Sequence, residues 1–107
     1  MCNAIPDLEV SADPTERTRI IVGNRWKLQV LQNLMDGPKW FYELKKTMRY
    51  ISHKVLVAEL LEMEARGLLN KKIYSEVPPE FEYTLSEKGY SLRPVLNAMK
   101  MWGEDNP

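Results

Sequence analysis

The spacing of apolar residues changes once along this chain, and that change limits the folds that the sequence can adopt. Between residues 26 and 63 apolar residues recur at spacings of three and four, as on one face of an α-helix. Between residues 81 and 85 Phe81, Tyr83 and Leu85 alternate with polar residues, as on one face of a β-strand. The sequence therefore predicts a mainly α-helical domain that also carries a β-hairpin.

Capping residues predict where the first two helices begin and end. The run Asp13-Pro14-Thr15-Glu16 combines a cap, a proline in the first turn and an acidic residue three positions after the cap. This helix is expected to end near Gly23 in a left-handed backbone conformation. Asn24 then caps a second helix, which Gly37-Pro38 ends.

The next two helices are separated by a short turn. A helix is predicted from about Phe41 to Met48, and three residues, Arg49-Tyr50-Ile51, follow it. Ser52 is a suitable cap for a longer helix that Arg66-Gly67 ends. A short helix, a tight turn and a longer helix form a helix-turn-helix motif.

The hairpin follows this motif directly. Leu68 to Tyr74 is the expected first strand, and Ser75 to Glu80, which includes Pro78-Pro79, is the expected loop. Ser86 is predicted to cap one last helix, in which Pro94 either produces a kink or marks the true first turn.

These elements predict a winged helix-turn-helix: a three-helical core, a β-hairpin wing, and N- and C-terminal helices. We expect residues 1–12 to form a flexible N-terminal arm and residues 13–107 to form one domain, since 107 residues suffice for a single core. The alternative is a generic helical domain with an incidental hairpin.

Several motifs resemble the HxlR-type family of bacterial winged helix-turn-helix transcription regulators, which are related to the MarR regulators. The similar segments are GPKWFYEL at 37–44, ISHKVL at 51–56, EARGLL at 64–69 and EVPPEFEYTL at 76–85. The resemblance implies a cytoplasmic repressor or activator that binds operator DNA as a homodimer joined through its first and last helices. The recognition helix (about 52–66) would enter the major groove, and the wing (about 74–80) would lie on the backbone or minor groove.

The chain departs from the family pattern at four positions of the expected DNA-binding surface. Trp40, Glu59 and Glu80 stand where the family commonly has basic or polar residues, and Val57 stands where threonine is common. If Glu59 and Glu80 face DNA, each places a negative charge near the phosphates. Alternatively, Glu59 pairs locally with Arg66 or Lys54.

The distribution of charge supports a DNA-binding surface even though the chain has no net charge. Residues 39–75 contain eight Lys or Arg against four Glu, a net charge of +4, whereas residues 1–38 carry −1 and residues 76–107 carry −3. Because proteins bind phosphates through local positive charge, the helix-turn-helix is the expected DNA-binding segment.

The candidate DNA contacts lie at the start of the recognition helix and around the wing. Lys54 can bind guanine or phosphate, His53 can donate to either when it is protonated, and Val57 can contact a thymine methyl group. The structural alternatives are a capping role for Ser52, a solvated polar face for His53 and Lys54, and a partly buried filler for Val57. The full predicted set is Lys39, Arg49, Ser52, His53, Lys54, Val57, Lys72 and Tyr74.

The terminal helices carry apolar residues that can serve either a small core or a two-fold dimer interface. The predicted dimerisation residues are Ile20, Ile21, Leu92, Val95, Met99 and Trp102.

The sequence gives little support for other classes of function. We find no glycine-rich phosphate loop and no catalytic motif, so we expect no enzyme, and one Cys with one His makes a metal site or other cofactor unexpected. No apolar run approaches the roughly 18 residues of a membrane span. The single cysteine, Cys2, cannot form an internal disulfide, which fits a reducing cytosol.

Two further hypotheses remain open. In the first, the domain is a protein-interaction module with weak or no DNA binding; in the second, it is a regulator that responds to a small molecule or to redox state. In the second case the effector would enter a pocket at the dimer seam lined by Trp26, Met99 and Trp102, or Cys2 would act as the redox sensor, as the resemblance loosely implies.

Overall fold

The computed structural model describes residues 13–107, so the predicted N-terminal arm and Cys2 lie outside the described residues. Six helices and three strands follow one another along this part of the chain. Their bounds are α1 Pro14–Val22, α2 Arg25–Leu34, β1 Lys39–Trp40, α3 Phe41–Thr47, α4 His53–Ala65, β2 Leu69–Glu76, β3 Pro79–Leu85, α5 Glu87–Tyr90 and α6 Arg93–Asp105.

The predicted caps of the first helices are confirmed, but one helix end differs. The Asp13 carboxylate accepts a hydrogen bond from the Thr15 amide, and the Asn24 side chain accepts from the Trp26 and Lys27 amides. Gly23, expected to be left-handed, has a right-handed backbone with φ of −81°. A Cβ at Gly23 would lie 2.7 Å from the carbonyl oxygen of Arg19, so this position requires glycine because of a close approach.

One apolar core joins α2, α3 and α4 to the hairpin. Periodicity predicts apolar inner faces for α2 and α4, and the structure confirms both faces. Only Trp26 and Met35 of the predicted α2 face are half-buried, packed against the edge of the core. The buried apolar residues are Val30, Leu31, Leu34, Leu44, Met48, Ile51, Leu56, Leu60, Met63, Leu68, Leu69, Tyr83 and Leu85.

The sheet has three antiparallel strands in the order β1-β3-β2, which corrects the prediction of a two-stranded hairpin. Lys39 of β1 pairs with Tyr83 of β3. Strands β2 and β3 remain paired out to Glu76 and Pro79, so the connection is only residues 77–78 instead of the predicted loop 75–80. Proline is tolerated at Pro79 because it is the first residue of its strand.

The C-terminal part contains two helices where one was predicted. Ser86 caps the four-residue α5, and its side chain accepts a hydrogen bond from the Gly89 amide. Helix α6 begins at Arg93, so Pro94 marks a first turn and produces no kink. No residue of α6 is buried, and Met99 and Trp102 are 40% and 68% exposed. The apolar stripe is therefore divided, because Leu92 packs against the core whereas Met99 and Trp102 are exposed.

Candidate nucleic-acid interface

The recognition helix α4 is fixed to the core along one side and exposed at its first turn. Leu56, Leu60 and Met63 anchor the inner side, and the Ser52 hydroxyl accepts a hydrogen bond from the Val55 amide, which confirms the predicted cap. Lys54 is exposed next to this cap. An exposed helix N-terminus with a cation beside it offers both amide donors and positive charge to an anion.

His53 and Val57 occupy the side of α4 that faces the sheet. The His53 ring packs edge-on against Phe41 at a centroid separation of 5.1 Å, so the start of α3 holds the start of α4. Val57 is half-buried one turn further along. Val57 is thus partly buried, as its structural alternative predicts, whereas His53 is exposed and contacts Phe41 in addition.

Glu59 points into the protein, which overturns the expectation that it faces DNA or pairs with Lys54 or Arg66. Its carboxylate accepts a hydrogen bond of 2.7 Å from the ammonium group of Lys27, and Glu62 forms a second ion pair with the same ammonium. Lys27 is 3% exposed on α2, so this cluster joins α2 to the recognition helix.

Two features of the surroundings of Lys27 have opposite effects on its pKa. Burial lowers the pKa of Lys27, but hydrogen bonds and charge interactions with Glu59 and Glu62 outweigh it, so the pKa is raised overall. The ammonium therefore stays charged at neutral pH. Sequence reasoning missed this cluster because a lysine on an amphipathic helix is normally exposed.

The wing brings Lys72 and Tyr74 together, as part of a small aromatic cluster. The Lys72 ammonium lies 4.8 Å from the centroid of the Tyr74 ring, and the Tyr74 hydroxyl donates a hydrogen bond of 2.8 Å to Glu82. The Trp40 ring packs against Tyr74 at 4.9 Å. Trp40, a departure from the family pattern, thus has a structural role that depends on β1.

The remaining predicted contacts lie near this cluster or in the turn. Lys39 is half-buried in β1, and Arg49 is exposed in the turn between α3 and α4. Glu80 is exposed at the end of the wing, opposite Ser75.

The predicted dimerisation residues form two surfaces of the terminal helices. Ile20 and Ile21 of α1 are half-buried, as are Leu92 and Val95, whereas Met99 and Trp102 remain exposed. Trp26 is half-buried, packs against the core and lies beneath the guanidinium of Arg25.

Proteins that are similar to this chain in sequence are described as transcription regulators. The family model of the HxlR-like helix-turn-helix proteins matches residues 21–107. The uncharacterized HTH-type transcriptional regulator YkvN of Bacillus subtilis (strain 168) is 44% identical over 88 residues, which cover 82% of this chain and 75% of YkvN.

Two solved structures are similar over nearly the whole domain. The redox regulator HypR in its reduced form has a TM-score of 0.82 and 37% identity, and the match covers 88% of this chain and 93% of HypR. Quinone-bound YodB from B. subtilis has a TM-score of 0.77 and 32% identity, and the match covers 89% of this chain and 99% of YodB. Within residues 13–107, no helix is long and apolar enough to cross a membrane.

Proposed function

The chain belongs to the HxlR-like helix-turn-helix family of transcription regulators, and on that premise we propose that it binds operator DNA as a homodimer in the cytoplasm. Helix α4 enters the major groove, and the wing lies on the backbone or minor groove. Lys54, His53 and Val57 contact base edges, while Lys72 contacts phosphate. The other proposed contacts are Lys39, Arg49, Ser52 and Tyr74.

The observation that carries this proposal is the exposure of Lys54 at the capped N-terminus of a helix whose opposite side is locked into the core. Recognition helices read base edges with their N-terminal residues. The rigid attachment supports sequence-specific contacts, since a mobile helix would lose binding free energy when it becomes ordered on DNA.

The exposed face of α6 supports the homodimer. Met99 and Trp102 extend one apolar stripe from Leu92, and the described part of the chain leaves the outer end of this stripe in contact with solvent. A second copy that covers the stripe removes this apolar surface from water and sets the two recognition helices about 34 Å apart, one turn of DNA.

Selection of bound sequences from random double-stranded DNA tests the proposal. We expect an inverted repeat whose half-sites are centred about one helical turn apart. Enrichment of no sequence, together with affinity for DNA that is the same for all duplexes, would instead favour the protein-interaction module.

The likeness to HypR and YodB favours a second, additional property, a response to oxidants or quinones. We propose Cys2 as the reactive group, because it is the one thiol of the sequence. Treatment with a quinone should then change DNA affinity in the wild type and leave Cys2→Ser unaffected. An equal response of both proteins would exclude the thiol.

A further inference from the structure

A cavity of about 460 Å³ lies between the recognition helix and the wing. Its volume is within the range of about 300–1,000 Å³ that is typical of small-molecule sites. One wall comes from α4, the opposite wall comes from β2 and β3, and the start of α3 closes one end. The cavity is distinct from the dimer-seam pocket considered in the sequence analysis.

The lining of this cavity is aromatic and apolar. Rings of Trp40, Phe41 and Phe81 face it, and Val57 and Leu61 complete the side formed by α4. Leu61 is 54% exposed although it belongs to a helix of the core, so the cavity leaves apolar surface in contact with water. Aromatic walls favour a flat ring that can stack or pack edge-on.

The lining of the cavity contains one lysine and one glutamate, which differ in their exposure to solvent. The ammonium group of half-buried Lys71 lies 5.1 Å from the centroid of the Phe81 ring. Glu80, the other charged residue of the lining, is exposed to solvent, so its charge is more strongly screened by water than that of Lys71. An anion close to Lys71 gains a charge-assisted contact beside an apolar wall, where screening by water is reduced.

We propose that this cavity binds a planar aromatic anion of one or two rings, and that the bound molecule competes with DNA. The competition rests on the proposed function, because His53 and Val57 line the cavity and are also the proposed base contacts. A ligand that packs on these two side chains occupies the surface that a base edge would contact.

Isothermal titration calorimetry without DNA tests the site with 2-naphthoate as the probe. We expect 2-naphthoate to bind at least about fivefold more tightly than the cation 2-naphthylmethylammonium. Lys71→Gln should weaken naphthoate binding about fivefold, and Lys100→Gln, which removes a lysine of α6, should leave it unchanged. Leu61→Trp, which fills the cavity from an exposed position, should weaken binding about tenfold or more, whereas Met101→Trp should not.

Absence of naphthoate binding to the wild type, or equal binding by Leu61→Trp, would overturn the proposed site. Tighter binding of 2-naphthylmethylammonium than of 2-naphthoate would overturn the assignment of Lys71 as the group that binds the anion.

The competition with DNA is tested separately, by titration of 2-naphthoate into a complex of the protein with a selected duplex. Naphthoate should lower the DNA affinity of the wild type and not that of Leu61→Trp. A protein that binds naphthoate in this pattern but binds no DNA supports the cavity and contradicts the DNA-binding function, so the two failures can be distinguished.

Discussion

The ammonium nitrogen of Lys27 lies 2.7 Å from a carboxylate oxygen of Glu59, and this bond connects α2 to the recognition helix. The two side chains are 4% and 17% exposed. Glu62 binds the same ammonium one turn later on α4. The ion pairs add a polar link to the apolar contacts that hold the inner side of α4, while Lys54 in the first turn of the helix is exposed.

Removal of the lysine from this cluster is expected to destabilise the fold. Lys27→Met leaves the carboxylates of Glu59 and Glu62 partly buried without their shared cation, and loss of one partner of a buried ion pair costs about 3–5 kcal/mol. Urea unfolding measures the change. Arg19→Met, which breaks the exposed pair of Arg19 with Glu16 on α1, is the control and should have a much smaller effect. Equal losses in the two variants would show that the Lys27 cluster contributes no more than a surface pair.

The stability of the protein should fall in alkali, in part because of Tyr83. Burial, and then the charge of Glu64, raises the pKa of Tyr83 from 10.0 to about 12. The unfolded chain therefore releases this proton first, and the free energy of unfolding decreases as the pH rises from about 10 to 12. The pKa of Lys27 is raised as well, so its contribution is complete below about pH 10.5 and is lost as the pH rises through the higher folded value.

Urea unfolding at several pH values between 8 and 11 separates the two groups. Tyr83→Phe should show a shallower decline above pH 10 than the wild type, because the substituted side chain does not ionise. If the free energy of unfolding declined with the same slope in both proteins, groups other than Tyr83 would cause the loss of stability in alkali.

The exposed stripe of α6 predicts how the dimer can be disrupted. Trp102→Glu places a charge on the proposed interface, and its burial without a partner is unfavourable. Sedimentation velocity at micromolar concentration should give twice the 12.5 kDa mass of the chain for the wild type and the single mass for the variant. Met101→Glu, on the same helix but outside the stripe, should remain dimeric. A monomeric wild type with unchanged DNA affinity would contradict the dimer.

The two acidic departures from the family pattern should now behave differently. Glu80 is exposed on the wing, so Glu80→Arg should tighten DNA binding and steepen its salt dependence by about one unit. Glu104→Arg, which changes the same charge at the end of α6, is the matched control. Glu59→Gln should leave DNA affinity unchanged and lower the free energy of unfolding, since this residue faces Lys27. An unchanged affinity and salt slope in Glu80→Arg would mean that the wing does not reach DNA.

The sequence was sufficient for those parts of the fold that depend on local patterns. The caps Asp13, Asn24 and Ser52 and the buried faces of α2 and α4 follow from capping chemistry and from a strong 3.6-residue period. The alternating strand β3 follows from its period of two. These signals lie within a few residues of the element that they specify.

The features that were missed depend on residues far apart in the chain. Strand β1 has two residues, too few for a period, and its partner Tyr83 is 44 positions after Lys39. The Lys27–Glu59 pair spans 32 positions, and the cavity requires α3, α4 and the wing at once. The division between α5 and α6 was indicated only by Pro94, which is compatible with either a kink or a helix start.

We propose that α4 contacts base edges while the wing contacts the DNA backbone, and one affinity measurement tests this most directly. Fluorescence anisotropy compares the wild type, Lys54→Ala and Lys72→Ala on a selected duplex and on an unrelated duplex, at two salt concentrations. We predict that Lys54→Ala loses about 1–3 kcal/mol of discrimination between the duplexes, because a base contact is removed. Lys72→Ala should weaken binding to both duplexes by the same factor, because a phosphate contact is removed. It should also reduce the slope of log affinity against log salt concentration by about one unit. The same loss of affinity, specificity and salt slope in both variants would contradict this division of roles.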